Sequence, residues 1–411
     1  MTQNGENQMS HAGSKPNIVL VFMDDMGYGD MGCFGSPSIR TPQMDRVAQN
    51  GVKFTQMYAA AAICTPSRCG LLTGRHPNRV GINRVLFPRD TEGMPADEKL
   101  IPAYLKDAGY ATCMCGKWHL GCREEHNPTR FGFDEYFGLL YSNDMSPLNL
   151  MDGETIAEEE PDQATLTRRY TDRAIEFIRE KKDQPFFVYL AHTMPHIPLH
   201  VEREFRGKSN GGVYGDTIEC IDHHLGRLTD TLDELDLTDE TLLIVTSDNG
   251  PWYEGSVAGL RGRKFDVYEG GVRMPFVAQW PGKIQPGSCV EQAGSLMDLL
   301  PTFLHLAGVD QPTGRKLDGI NIWDAFDGKD MPERDAIYYF FHENPQAIRC
   351  GKWKLHVAFG FDNKTKEMPQ LFDMDRDPGE NYNLAANYPE VVEKLQKKLF
   401  DFQVEVAGSS A

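Results

Sequence analysis

Four segments of the chain share one pattern, in which a short run of apolar residues ends abruptly in a cluster of polar ones. Runs this continuously apolar are typical of strands buried on both faces, as in a parallel sheet. With their polar ends, the segments are NIVLVFMDD (17–25), YATCMCGKWH (110–119), FFVYLAHTMPH (186–196) and TLLIVTSDN (241–249). The pattern predicts four buried strands whose polar residues lie at the carboxyl ends.

Helix-like stretches separate these strands. They cover residues 42–50 (closed by Gly51), 100–107 (closed by Gly109), 165–182 and 215–235. Strands that alternate with helices indicate the α/β class. Because the ligand of an open α/β sheet sits beyond the carboxyl ends of its strands, the polar ends should converge on one crevice. The residues expected there are Asp24, Asp25, Lys117, His119, His196, Asp248 and Asn249.

The pattern changes after about residue 325, which indicates a smaller C-terminal α+β domain. Short antiparallel strands are predicted at residues 338–341, 347–357 and 370–374. Residues 389–404 form an amphipathic helix with apolar residues at Val391, Val392, Leu395 and Leu399. A chain of 411 residues also exceeds the ~250 to 300 that one core usually serves. We divide it into a disordered leader (1–15), a large domain (16–325) and a C-terminal subdomain (326–411).

Charge and composition narrow the possible partners. The 42 Lys and Arg against 60 Asp and Glu give a net charge of -18, which repels polyanions and argues against nucleic-acid binding. An anionic substrate would need a local cationic pocket. The first 17 residues do not have the pattern of a signal peptide, and no apolar run approaches the ~20 residues of a membrane span. We expect no membrane partner, and either a cytoplasmic protein or one whose leader has been removed.

Two pairs of oxygen-bearing residues suggest a metal site. Asp24 and Asp25 end one predicted strand, and Asp248 and Asn249 end another. Such an all-oxygen set suits a hard cation, Ca²⁺ or Mg²⁺. Either pair alone could equally be a helix cap or a solvated turn.

The most specific segment runs from Cys64 to Arg75 and reads CTPSRCGLLTGR. C-x-P-S-R followed by L-T-G-R resembles the maturation and active-site signature of the formylglycine-dependent sulfatases, in which the cysteine is oxidised to an aldehyde. Cys64 is predicted near the start of a helix running from about Pro66, with Arg68 one turn further on. Cys69 should pack inside that helix as a small apolar group.

Other segments resemble the same family, in the branch of arylsulfatase A and N-acetylgalactosamine-6-sulfatase. They are VFMDDMGYGDMG, GKWHLG, YSND, AHTMPHIP, TSDNG, LRGRKFDVYEGGVRMP and LFDMDRDPGENYNL. The resemblance implies metal ligands at Asp24, Asp25, Cys64, Asp248 and Asn249. It implies catalytic roles for Cys64, Arg68, Lys117, His119, His196 and Lys264. It implies substrate contacts from Lys117, Ser142, His196 and Lys264.

The resemblance also implies a fold and an activity. The fold would be alkaline-phosphatase-like, a large and mostly parallel sheet sandwiched by helices, with residues 16–325 as the catalytic domain. The activity would be hydrolysis of sulfate monoesters, of a sulfated sugar or another sulfated small molecule, with aryl sulfates as surrogates. The implied cofactors are Ca²⁺, or Mg²⁺, and formylglycine made from Cys64 by a maturation enzyme. Family members are usually exported, whereas this sequence shows no leader.

Two alternatives to a sulfatase stay open at this point. The same fold and metal set suit a phosphomonoesterase or phosphonate esterase. A non-catalytic protein that binds sulfated glycans, with Cys64 as a thiol, is the other alternative. Specificity would depend on the loops at residues 78–97, 141–161 and 200–212.

Several further side chains have both a functional and a structural interpretation. Cys113, Cys115, His119 and Cys122 could bind zinc, although the spacing is unusual and two of the cysteines fall within a strand. His223 and His224 are expected on a helix surface. Three further histidines could line a substrate subsite or be structural: His76, His192 and His200.

Overall fold

The computed structural model describes residues 15–359 and 364–408, without the side chains of residues 359 and 364–368. Residues 1–14, most of the leader predicted to be disordered, lie outside the described residues. The larger of two sheets has strands β1 Asn17–Met23, β2 Val52–Tyr58, β3 Ala111–Lys117, β4 Glu135–Leu139, β5 Asn149–Asp152, β6 Thr155–Glu159, β7 Phe186–Ala191, β8 Thr241–Ser247, β9 Arg273–Gln279, β10 Ser288–Val290 and β11 Gly294–Ser295. The smaller has β12 Ile337–Phe341, β13 Asn344–Cys350, β14 Trp353–Phe359 and β15 Lys364–Asp373.

The four apolar segments form the parallel centre of the large sheet, as predicted. The strand order is β10-β2-β9-β8-β1-β7-β3-β4-β5-β6, with β11 paired to β2. Strands β8, β1, β7 and β3 are consecutive neighbours and all parallel. Their carboxyl ends therefore open at one edge of the sheet, where the polar clusters lie.

Helices cover both faces of this sheet. The α-helices are α1 Pro42–Asn50, α2 Cys64–Thr73, α3 Pro77–Val80, α4 Ile101–Asp107, α5 Leu166–Lys181, α6 Gly212–Glu234, α7 Glu269–Val272, α8 Leu299–Ala307, α9 Trp323–Phe326 and α10 Pro389–Ala407. Alternate residues of β1 point into two different cores. Ile18, Leu20 and Phe22 pack with α2, α4 and α8 on one face of the sheet. Val19, Val21 and Met23 pack with α1, α5 and α6 on the other. Burial on both faces explains why the strand is a continuous apolar run.

The C-terminal sheet is antiparallel, with the order β12-β13-β14-β15, and α10 packs against it through Val392, Leu395 and Leu399. The prediction of one strand over residues 347–357 is wrong, because the chain turns there and pairs Cys350 with Trp353. Gly351 has φ +54°, a left-handed conformation that glycine adopts without strain and that ends β13. The domain boundary at 325/326 falls within α9 and stays a prediction.

Among the described residues, no helix combines the length and the apolar character that a membrane crossing requires.

Candidate active site

The carboxyl ends of β1 and β8 bring the predicted metal ligands together. Carboxylate oxygens of Asp24, Asp25 and Asp248 all lie within 4.8 Å of one another, and all three residues are buried. The Asp25 amide donates to Asp248 Oδ1 at 3.1 Å, and Asn249 Nδ2 donates to Asp25 Oδ1 at 2.6 Å. Asp25 has φ +65°, an uncommon conformation for a residue with a side chain, which the surrounding structure enforces at this site.

Helix α2 supplies an arginine, Arg68, whose guanidinium group links the ends of these strands. It begins at Cys64, two residues earlier than predicted. Arg68, one turn further on, donates to Asp248 Oδ2 through Nε at 3.1 Å and Nη2 at 2.8 Å. Its Nη1 donates to the Lys117 carbonyl at 2.9 Å. Arg68 therefore fixes the start of α2 against the ends of β8 and β3.

Two lysines complete the cationic side of the site. Lys117 Nζ donates to Asp24 Oδ2 at 2.6 Å and to Ser142 Oγ at 3.1 Å. Lys264 Nζ donates to Asp25 Oδ2 at 2.7 Å. Arg68, Lys117 and Lys264 thus lie beside the three carboxylates. A tetrahedral anion bound here would contact their positive charges, although the net charge of the whole protein is negative.

The buried carboxylates do not all ionise equally well. For Asp24, burial raises the pKa, but Lys117, His196 and Arg68 together hold it well below its usual range. For Asp248, burial and repulsion from Asp24 raise the pKa to about 7, against the opposing effect of Arg68. Two carboxylates this close resist simultaneous ionisation, and a bound divalent cation would remove that resistance.

The oxygen atoms present fit such a cation. Asp24 Oδ1 and Asn249 Oδ1 are buried and accept no hydrogen bond within the described residues. Leaving a buried acceptor unsatisfied is costly, and oxygen ligands of this kind are the ones that Ca²⁺ and Mg²⁺ prefer. The carboxylates and the amide oxygen therefore suit a hard divalent cation.

The two predicted histidines differ in which ring nitrogen is available. His196 Nδ1 lies 3.1 Å from Asn143 Oδ1 and also contacts the Ile197 carbonyl, so we place its hydrogen on Nδ1. Its Nε2 lies 3.6 Å from Asp25 Oδ2. His119 uses Nε2 to contact the Leu86 carbonyl at 3.0 Å, and its Nδ1 has no hydrogen-bond partner in the described part of the chain. Each ring is anchored by one nitrogen and leaves the other for chemistry.

Burial sets the protonation of both rings. It lowers the pKa of His119 well below the usual value, and the charges of Lys117 and Arg68 lower it further. Burial also lowers the pKa of His196, although Asp25 and Asp24 oppose that shift. A neutral His119 can accept a proton, and a protonated His196 would give its proton up readily.

Cys64 is 3% exposed and faces the same cavity as His119 and His196. Burial raises the pKa of its thiol, despite the nearby charges of Lys117 and Lys264. An unmodified Cys64 is therefore a protonated thiol and a poor nucleophile. Cys69 is fully buried in the same helix, as predicted.

The cavity above these residues has a volume of about 370 Å³. Besides the predicted site residues Cys64, His119, Ser142, His196 and Lys264, its walls are formed by Ile63, Arg84, Val85, Phe87, Asp144, Met145, Phe265, Phe341 and His342. Two of the predicted specificity loops, residues 78–97 and 141–161, contribute to these walls, whereas residues 200–212 do not. The sequence analysis missed Phe341 and His342, which come from the end of β12 and the turn after it.

Other candidate residues lie elsewhere. His76 packs against Phe402 of α10, His192 is buried, and neither of them nor His200 lines this cavity. The surface prediction is wrong for His224, which is buried and contacts Glu202 at 2.7 Å. It is correct for His223, which is exposed.

The structure does not bring together the four residues considered as zinc ligands. Cys113 and Cys115 lie on one face of β3 with their sulfur atoms 3.6 Å apart. Cys122 contacts the Pro88 carbonyl instead, and His119 contacts the Leu86 carbonyl. Among the described residues, these four do not form a group of possible metal ligands.

Comparison with known proteins agrees with this geometry. The Sulfatase family model matches residues 16–309, and the model described as N-sulphoglucosamine sulphohydrolase, C-terminal, matches residues 260–405. N-acetylgalactosamine-6-sulfatase of Canis lupus familiaris is 36% identical over 440 residues, covering 93% of this chain and 84% of that protein. Arylsulfatase A of Homo sapiens is 36% identical over 452 residues, covering 95% and 89%.

A solved structure with a similar fold supports the same family. The crystal structure of Ps i-CgsB in complex with k-i-k-neocarrahexaose superposes with a TM-score of 0.86 at 29% identity, covering 95% of this chain and 93% of that one. The predicted alkaline-phosphatase-like fold and the predicted branch are thereby confirmed. The chain belongs to the sulfatase family and is a sulfuric ester hydrolase.

Proposed function

We propose that this protein removes sulfate from a sulfated sugar, using Cys64 after its conversion to formylglycine and a divalent cation held by Asp24, Asp25, Asp248 and Asn249. The observation that carries the proposal is the convergence of Cys64, two singly anchored histidines and Lys264 on one cavity. A protein that only bound sulfated glycans would need the cations but neither an acid nor a base.

Cys64 has a position that suits this modification. Hydration of an aldehyde at residue 64 supplies an oxygen nucleophile where the buried thiol would be inert. The residue is at the first position of α2, where free amide groups and the helix dipole favour an anion. The carboxylate and amide oxygens beside it suit a hard divalent cation, and we propose Ca²⁺, with Mg²⁺ as the alternative. The bound cation would act as a Lewis acid on sulfate and nucleophile oxygens.

Different side chains of the protein have different roles in the proposed reaction. Arg68 holds Asp248 and neutralises charge beside residue 64. Lys117 and Lys264 stabilise the charge on the sulfate oxygens. His196 protonates the departing alcohol through Nε2. His119, neutral and with Nδ1 available, accepts the proton whose removal releases inorganic sulfate and restores the starting state.

The cavity walls support a sugar as the departing alcohol. Rings of Phe87, Phe265 and Phe341 offer apolar surface, while Arg84 and Asp144 offer polar groups at the same cavity, a mixture that suits the faces and hydroxyls of a sugar. Among the relatives named above, N-acetylgalactosamine-6-sulfatase is named for a sulfated sugar, and Ps i-CgsB was solved in complex with k-i-k-neocarrahexaose. We further propose that a maturation enzyme modifies Cys64 and that residues 16–325 are the catalytic domain.

The ratio of activity on sulfate and phosphate esters tests this function. We expect kcat/KM for nitrophenyl sulfate to exceed that for nitrophenyl phosphate by at least about 1,000-fold, because the buried carboxylates of the site repel the second negative charge of a phosphate monoester. Both substrates have the same leaving group, so the comparison isolates the transferred group. A preference for the phosphate would make the protein a phosphomonoesterase, the alternative that the same fold allows.

The two histidines should separate kinetically. Replacing His196 by Ala should slow hydrolysis of an alkyl or sugar sulfate at least about 100-fold more than that of nitrophenyl sulfate, because nitrophenolate needs little protonation to leave. Replacing His119 should instead produce a burst of alcohol followed by slow turnover. Stopped-flow and steady-state rates measure both effects, and equal losses on all substrates for His196→Ala would contradict its role as the acid.

A further inference from the structure

Lys264 lies in the loop between β8 and α7, where its Nζ contacts Asp25 and the neighbouring Arg263 donates to two carbonyls of the same loop. The Lys264 amide donates to the Pro251 carbonyl at 3.0 Å, and the Phe265 amide donates to the Ala62 carbonyl at 2.8 Å. The rest of the segment has no helix or strand until α7 begins at Glu269. A cation that must meet a sulfate oxygen within a few tenths of an ångström needs firmer support than such a loop provides by itself.

Residues 261–269, the part of this loop that includes Lys264, are tied at both ends to one distant residue, Glu380. At the first end, Arg261 Nη1 donates to the Glu380 carbonyl at 3.0 Å. At the second, the Glu269 amide donates to Glu380 Oε2 at 2.7 Å. The Gly270 amide donates to the Arg261 carbonyl at 2.7 Å and closes the loop. Glu380 thus lies where it can set the separation of the two ends.

Glu380 is itself fixed by a fully buried ion cluster. Its Oε1 lies 2.6 Å from His356 Nε2 and 3.2 Å from Lys354 Nζ, and Lys354 also donates to Glu269 Oε1 at 2.8 Å. Burial raises the pKa of Glu380, but Lys354 and His356 more than offset this and lower it to about 2. Buried ion pairs add little net stability compared with apolar packing, and in some proteins they enforce one geometry.

The backbone at Glu380 points to the same conclusion. Its φ is +55°, in the left-handed region that residues with a side chain occupy only at an energetic cost. A conformation of this kind persists where the surroundings determine it. Here it lets the carbonyl of Glu380 meet Arg261 while the carboxylate meets the Glu269 amide.

We propose that Glu380, from the C-terminal segment, is a positioning residue for Lys264 and acts through the two ends of the loop that carries it. The inference rests on the proposed function in one respect, that Lys264 contacts the sulfate group. It gives the C-terminal sheet a part in the reaction, because Lys354 and His356 of β14 hold Glu380 in place.

Two substitutions weaken the two ties separately. Glu380→Gln keeps the size of the side chain but removes the charge, and Arg261→Ala removes the exposed partner of the first tie. We expect each to lower kcat/KM for nitrophenyl sulfate about tenfold, since a displaced cation loses part of its interaction with the transition state. Arg261 lies at the surface, so its variant keeps the test valid if Glu380→Gln folds poorly. Glu390→Gln, the same change at an exposed position nearby, is the matched control and should leave kcat/KM unchanged.

A double-mutant cycle with Lys264→Ala distinguishes positioning from general support of the fold. Lys264→Ala alone should lower kcat/KM at least about 100-fold. In that background, Glu380→Gln and Arg261→Ala should each cost less than about twofold, because the group they position is gone. Equal losses with and without Lys264 would overturn the positioning role, as would unchanged kcat/KM in both single variants. A normal rate for Lys264→Ala would instead refute the assignment of Lys264 within the proposed function, and the positioning role with it.

Discussion

Cys64→Ala should fold, bind its cation and hydrolyse no sulfate ester at a measurable rate. The substitution removes the proposed nucleophile and leaves the carboxylates, Arg68 and both lysines in place. A loss of at least about 10⁴-fold in kcat is expected, as for removal of a covalent nucleophile in other hydrolases. Circular dichroism and elemental analysis of the purified variant establish that fold and metal content are retained.

Activity of the unsubstituted protein should follow the converted fraction of Cys64. Oxidation of CH₂SH to an aldehyde lowers the mass of the peptide containing residue 64 by about 18 Da, which mass spectrometry detects directly. Protein produced with and without a maturation enzyme gives a series of converted fractions, and the rate should rise in proportion.

Cys69→Ala is the matched control for this prediction. It removes a buried thiol from the same helix, five residues further on, outside the cavity. Its activity and the mass change at residue 64 should both persist. If unconverted protein or Cys64→Ala turned over at the rate of converted protein, the formylglycine mechanism would be wrong and the nucleophile would have to be water.

The sequence predicted those parts of the site that short-range patterns encode. The end of a buried strand is visible as a change from apolar to polar residues, so Asp24, Asp248 and Lys117 could be placed at one edge of a parallel sheet. The signature from Cys64 to Arg75 independently predicted Cys64 as the nucleophile, and the structure brings that residue to the same cavity. Both are local signals, and both were correct about which side chains meet.

The parts that sequence reasoning missed depend on contacts between distant segments. Nothing near His342 shows that the turn after β12 reaches a cavity whose other walls come from distant parts of the chain, such as Cys64 and His196. The DRDPGENYNL segment was recognised as typical of the branch, yet the link from Glu380 to Arg261 joins residues 119 positions apart. His224 was misplaced because helical periodicity does not show that Glu202, from the preceding loop, covers it.

Removal of divalent cations should abolish turnover. Dialysis against a chelator should leave less than about 1% of the activity, and Ca²⁺ or Mg²⁺ should restore it. The reason is that three carboxylates lie within 4.8 Å of one another and would repel each other without a cation. In addition, buried oxygens of Asp24 and Asn249 accept no hydrogen bond in the described chain.

Asp248→Asn should weaken the cation's affinity at least about 100-fold, a difference of ~2.7 kcal/mol, because it removes one of the charges that balance the ion. Isothermal titration of the chelated protein measures this affinity.

The chain supplies its own control for the location of the cation. Glu202, Cys220 and His224 form a second group of possible metal ligands within the described residues. Arg227 Nη1 lies 3.1 Å from His224 Nδ1, and His224 Nε2 contacts Glu202. An arginine can only donate, so its contact places the ring hydrogen on Nε2, the nitrogen that a metal would need. Glu202→Gln should therefore leave cation affinity and turnover unchanged. Full activity in protein that elemental analysis shows to be free of metal, or a loss of cation affinity in Glu202→Gln but not in Asp248→Asn, would rule out the site at the ends of β1 and β8.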